Sequence, residues 1–160
     1  MQRVVVDDHI ALLAALDVLW LPDWVELPLL TTYGFQQRIA AAIITKRLTT
    51  GFLRAIYDAH TDPEARWLGA GVLENSDTLR YLDPTRHVID TTHYKIDLHL
   101  PVLAAELLAA AVTQGAIIRV TPANAAGNIA TVLQQSPNTG VWDLNEHDGR
   151  YEIVDTNIRQ

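Results

Sequence analysis

The stretch VVVDDHIALLAAL, Val4 to Leu16, decides how this chain is read. Three β-branched residues favour a strand. Two carboxylates follow, and then apolar residues at 10, 12, 13, 16, 19 and 20 recur near the helical period. A strand that passes directly into a helix is how an α/β protein begins. Asp8 is the expected N-cap of that helix. Asp7 then stands at the carboxyl end of the strand, where open α/β sheets collect their ligands.

Further along, prolines punctuate LPDWVELP (21–28) as a loop, and LLTT is a short strand candidate. Helices are expected over 34–48, 51–59 and 62–75, the last with Asp62 as cap and Pro63 at the first helical position. RHVID (86–90) reads as a strand. PVLAAELLAAAVTQG (101–115) is the clearest helix, with Pro101 opening it and Gly115 closing it. AIIRV (116–120) is the clearest internal strand, and TPANAAGNIATVLQQ (121–135) is a helix capped by Thr121. GVWDL (140–144), the turn EHDG and RYEIVDT suggest a closing hairpin. Strands alternating with helices imply a mainly parallel sheet with helices on both faces, a three-layer α/β/α sandwich.

Length and composition agree with one domain. The chain has 160 residues, 49% of them hydrophobic and 19% charged, and disordered chains are poorer in apolar residues. The net charge of −7 argues against a broad nucleic-acid platform, which needs Lys and Arg, but suits a basic partner or bound cations. There is no cysteine, which removes disulfides, thiol catalysis and Cys-ligated zinc. No signal-peptide pattern opens the chain, and the longest apolar stretch carries Glu106, so a cytoplasmic protein without a membrane span is expected.

Two families begin with a strand and an acid. VVVDDH resembles the start of receiver domains, in which paired acids hold Mg²⁺ beside a phosphoacceptor aspartate. The corresponding later stretch here, TKRLTTGFLRAIYDAH, has no strand before Asp58 and no Met-Pro after it. The wider resemblance is to PIN-like ribonucleases, including toxins of toxin–antitoxin modules. It covers most of residues 3–144: strand, Asp7, two polar residues and an apolar helix; LLTTYGFQQRI; then the late helix, strand and Thr-x-x-Asn turn of LPVLAAELLAAAVTQGAIIRVTPAN. Residues 1–146 are thus expected to form a PIN-like domain, and 147–160 a C-terminal extension or strand.

That resemblance implies Mg²⁺- or Mn²⁺-dependent cleavage of RNA, an antitoxin or other protein partner, and a homo-oligomer. Such chemistry needs carboxylates that hold the ion with open positions for phosphate and water. The set it implies is Asp7 and Glu106 as catalytic acids, with Asp7, Glu106 and Asn124 around the metal; Asp8, His9 and Asn128 are secondary candidates. The chain departs from the family where Gln36 and Gln37 replace an acid and where Ala104 and Ala105 precede Glu106. The leading expectation is therefore a metal-dependent ribonuclease, of the toxin kind, with an eroded active site; a catalytically inactive PIN-like protein-interaction module is the alternative, and a receiver-like signalling domain stands third.

Each of these residues also has a structural reading. Asp7 can be held by backbone N–H groups, and Asp8 can cap the helix. Asn124 can belong to a capping box. Glu106 lies either in water at a helix edge or in a polar cleft. Gln36 and Gln37 suit a helix surface. His9 is either a general base or phosphate donor, or a residue on the helix surface. His93 and His99 around Asp97 match no zinc spacing and suit an exposed strand or loop. Trp20 and Trp24, among prolines and acids, suit a partner surface. If Asp7 holds an ion, Asp7→Asn should abolish cleavage and leave the fold intact.

Overall fold

The computed structural model describes residues 1–45, 71–127, 129–130, 136 and 138–157. In chain order its elements are β1 (Val4–Val6), α1 (Asp8–Ala15), β2 (Leu19–Trp20), β3 (Leu29–Thr31), α2 (Tyr33–Thr45), β4 (Leu79–Tyr81), a 3₁₀ turn (Pro84–Arg86), α3 (Val88–Asp97), α4 (Val102–Gln114), β5 (Ile117–Val120), α5 (Pro122–Ala125), β6 (Thr139–His147) and β7 (Arg150–Asn157). The strands form one seven-stranded sheet in the order β2-β7-β6-β5-β1-β3-β4. Every neighbouring pair is parallel except β6 and β7.

β1 sits near the centre because both its faces are apolar. Val4 and Val6 join a core with Ile10, Ala11 and Leu12 of α1, whereas Val5 joins a second core with Ala104, Leu107 and Leu108 of α4. The same alternation splits Leu29 from Leu30 in β3 and Ile117 from Ile118 in β5. Each fully buried Val, Leu or Ile side chain contributes about 1.5–3 kcal/mol. Phe35 and Ile39 of α2 face different cores, so α2 straddles the edge between them.

With the short β2 and antiparallel β7 set aside, the parallel strands run β4-β3-β1-β5-β6. The chain builds outward from β1 through β3 to β4, then crosses back to place β5 on the other side of β1. The order therefore reverses between β1 and β5, and the crevice at the carboxyl ends of these two strands is the switch point where α/β sheets bind ligands.

Several elements differ from expectation. RHVID is not a strand: a 3₁₀ turn ends at Arg86 and helix α3 begins at Val88. The pair Val88–Ile89 looks strand-like, but α3 fully buries none of its residues; it packs on α4, with half-buried Tyr94 against the core. His93 and Asp97 are consequently one helical turn apart on its surface, 3.5 Å from each other. The first helix stops at Ala15; Asp17 takes a left-handed backbone (φ 57°) and the chain turns into β2. Within the expected helix 121–135, α5 covers Pro122–Ala125. The helix expected over 51–59, and most of that over 62–75, lie outside the described residues.

The closing hairpin is present and longer than expected, with β6 and β7 paired from Gly140–Asn157 to His147–Arg150. Asp148 and Gly149, both at positive φ (51° and 79°), make the two-residue turn that matches strand twist. His147 and Arg150–Asn157 thus continue the sheet. The two indoles of the proline loop part company: Trp24 packs edge-on against buried Trp142, while Trp20 is 45% exposed between Arg150 and His147. No described helix is long and apolar enough to cross a membrane.

Candidate site at the switch point

The β1–β5 pairing, in register Val6 to Arg119, brings the residues that follow the two strands face to face. Asp7 is the last extended residue before α1, fully buried, and is itself the N-cap: its Oδ1 accepts from the Ile10 amide at 3.0 Å. Asp8, expected as the cap, is already helical. It cannot cap because the backbone leaves the extended region one residue earlier.

The other oxygen of Asp7 accepts three bonds from the β5–α5 turn. Thr121 supplies its amide and its hydroxyl, and Asn124 its Nδ2, each at 2.7 Å. Thr121 occupies the cap position of α5 and makes no capping bond with its side chain; its hydroxyl is turned to Asp7 and donates to it. With that single proton committed, Thr121 Oγ1 can only accept from His9 Nδ1, 3.3 Å away. His9 is 2% exposed, so it is a buried member of this chain of bonds and not a residue of the helix surface.

Asn124 bridges the two acids. Its Nδ2 also donates to Asp8 Oδ1 at 2.9 Å, and its Oδ1 accepts from Arg38 Nη1 at 3.3 Å. Its partners fix the amide's orientation, since a carboxylate presents acceptors and a guanidinium only donors. Arg38 reaches in from α2, places Nε 3.3 Å from Asp8 Oδ2, and lays its guanidinium 6.0 Å from the centre of the Phe35 ring. Burial raises the Asp8 pKa, with the neighbouring Asp7 charge adding to the effect, while His9, Arg38 and the Asn124 amide pull the other way.

Of the residues singled out from sequence, Asp7, Asp8, His9 and Asn124 therefore converge. Glu106 shares no hydrogen bond with them. Its Oε1 accepts from the Gly34 amide at 2.6 Å, at the N-terminus of α2 where a carboxylate is favoured. Gly34 is needed for that approach, because a Cβ there would lie 2.7 Å from Leu103 Cδ1 and 3.1 Å from Glu106 Oε1. Gln36 donates to the Leu73 carbonyl and Gln37 to the Tyr33 hydroxyl. Asn128 lies outside the described residues. Two members of the cluster did not stand out as site residues in the sequence, Arg38 and the hydroxyl of Thr121. The signal was available for Thr121, which follows the strand beside β1. Arg38 carries none beyond its place in the helix after β3.

As arranged, these residues do not fit Mg²⁺ or Mn²⁺. Both Asp7 oxygens are taken by four protein donors, and the Asn124 oxygen faces a guanidinium. Of the two Asp8 oxygens, one accepts an amide N–H and the other faces Arg38. Among the described residues, no group of three or more Asp, Glu, His or Cys side chains is placed to hold a metal ion. No protein-family model matches the chain, and neither curated proteins nor solved structures gave a match.

Proposed function

We propose that this chain is a three-layer α/β/α domain of the PIN-like kind that works through protein contact and not through catalysis. The layering is supported by α1 and α4 packing against opposite faces of β1. The PIN-like reading is supported by Asp7 after the first strand meeting a Thr-x-x-Asn turn after β5. One observation carries the non-catalytic reading: the carboxylates at the switch point are satisfied from within, by four donors on Asp7 and by Asn124 and Arg38 on Asp8. Helix α3 offers a contact surface, with Ile89 and Ile96 at 71% and 64% exposure on one face. A protein partner or a second copy of the chain, in the cytoplasm, suits such a surface.

The test is to incubate purified protein with RNA in millimolar Mn²⁺ and to follow Mn²⁺ binding by calorimetry. Neither cleavage nor heat of binding is expected. Mn²⁺-dependent cleavage that disappears in Asp8→Asn would instead favour the second reading, a metal-dependent ribonuclease of the toxin kind with an antitoxin partner. What favours that reading is the meeting of Asp7, Asp8 and Asn124 at the switch point. A receiver-like domain has less support, since such folds place the first strand between the second and third. Here β1 lies between β3 and β5.

A further inference from the structure

The geometry points to Arg38 as a built-in counter-ion, a guanidinium that takes the place of a divalent cation at the switch point and keeps the two carboxylates closed to metal. This inference rests on the bonding of the cluster and is independent of whether the domain works by protein contact. Three observations carry it. Asp7 and Asp8 are both buried, at 0% and 5% exposure, so their charges need compensation from the protein. Arg38 reaches this pair at Asp8, with Nε beside Asp8 Oδ2 and Nη1 on the Asn124 oxygen. Asn124 passes that interaction on, because the oxygen bonded to Arg38 belongs to the amide whose nitrogen donates to both acids.

The arrangement depends on the shape of arginine. A guanidinium donates from several nitrogens in one plane, so it contacts a carboxylate and an amide oxygen together; a lysine ammonium acts as a point charge. Arg38 is also removable. Its side chain is 40% exposed, and it approaches from the surface of α2 across Phe35 instead of filling the core. Mg²⁺ and Mn²⁺ sites need only one or two carboxylates, with waters completing the shell. Without Arg38, Asp8 keeps the Asn124 amide and His9 Nε2, both on Oδ1 at 2.9 and 3.9 Å, and a hydrated divalent cation at the vacated Oδ2 restores the missing charge.

The probe is Mn²⁺ itself, titrated into wild type, Arg38→Met, Arg38→Lys and the double variant Arg38→Met/Asp8→Asn. Free Mn²⁺ is followed by its electron paramagnetic resonance signal, and melting is compared in Mn²⁺ and in EDTA. Arg38→Met is expected to bind Mn²⁺ roughly tenfold or more tightly than wild type and to melt higher in Mn²⁺ than in EDTA. The double variant should lose both effects. Equal Mn²⁺ affinity in wild type and Arg38→Met, or a folded Arg38→Met that does not bind, overturns the inference. If Arg38→Met does not fold in EDTA, Arg38→Lys decides: binding roughly threefold tighter than wild type supports the counter-ion role, and unchanged binding ends it. RNA cleavage by wild type would sink the protein-contact reading by itself, whereas these titrations report only on Arg38.

Discussion

Arg119 and Arg38 each meet a carboxylate, and they do so in opposite ways. Arg119 of β5 is buried between the sheet and Trp24, its side chain 7% exposed. Its Nε meets Asp155 Oδ1 at 2.7 Å and its Nη1 donates to the carbonyls of Ile118 and Asn138. Gly140 leaves room for it, since a Cβ there would stand 2.9 Å from the guanidinium carbon. One cation thus meets one carboxylate and two carbonyls. At the switch point one half-exposed guanidinium serves two buried acids at longer range, and amides supply the rest. The hairpin pair is a closed structural lock; the switch-point cluster is held together by donors that can be exchanged.

The largest effect is expected where those donors converge. Asp7→Asn replaces an acceptor with an NH₂ group facing N–H and O–H donors, and it should cost about 3 kcal/mol in urea denaturation. That revises the expectation that this substitution leaves the fold intact, so loss of activity in it would not identify a metal ligand. A variant within about 0.5 kcal/mol of wild type would show that the four bonds are not what holds Asp7.

Asp155→Ala comes next, at about 2 kcal/mol, because it leaves Arg119 buried with carbonyls alone. The figure lies below that of a fully buried pair because the Asp155 side chain is 32% exposed. In EDTA, Arg38→Met should cost about 1 kcal/mol or less, since a half-exposed arginine is already screened by water. If the two arginine sites proved equally costly to break, the contrast between lock and exchangeable cluster would not hold.

What the sequence revealed follows the same division. β1, β3, β5, α1 and α4 are legible because burial forces a pattern, a β-branched run or an apolar period ending at Gly115. β2 is two residues long, and in β4 only Leu79 is buried, so neither carries such a pattern. Helix α3 misleads because its packed side is only half-buried, at Thr91 and Tyr94, and sets no apolar period. Within the site, Asp7 and Asn124 are legible as residues that end neighbouring strands. Arg38 is not: its role depends on α2 bringing it to Asp8 and Asn124, which no local spacing encodes.

A change of opposite sign belongs to Asp8. Its folded pKa lies above the unfolded value, so the folded state holds the proton more tightly. Its contribution is most favourable below about pH 4, the unfolded range, and declines as pH rises through the raised folded value. Asp8→Asn removes that decline. Melting temperatures of variant and wild type should lie closest near about pH 4, with the variant gaining as the pH approaches 7. A variant that loses ground with rising pH would mean that Arg38 and Asn124 outweigh burial.

The smallest effect is expected at a neutral group, away from both charged sites. Tyr81 ends β4 and its hydroxyl donates to the Val72 carbonyl at 2.7 Å. Burial pushes its pKa up to about 12, so it remains a donor well into the alkaline range. Tyr81→Phe should cost about 0.5 kcal/mol, the low end for a neutral hydrogen bond, and the loss should not vary between about pH 6 and pH 9. Above the unfolded phenol value of about 10 the sign is set by linkage: the unfolded chain releases the proton first, so wild type loses stability as pH climbs towards the folded value. Phenylalanine has no proton to release. The gap between wild type and variant should therefore close above about pH 10, and a gap that widened there would show that Tyr81 ionises more easily folded than unfolded.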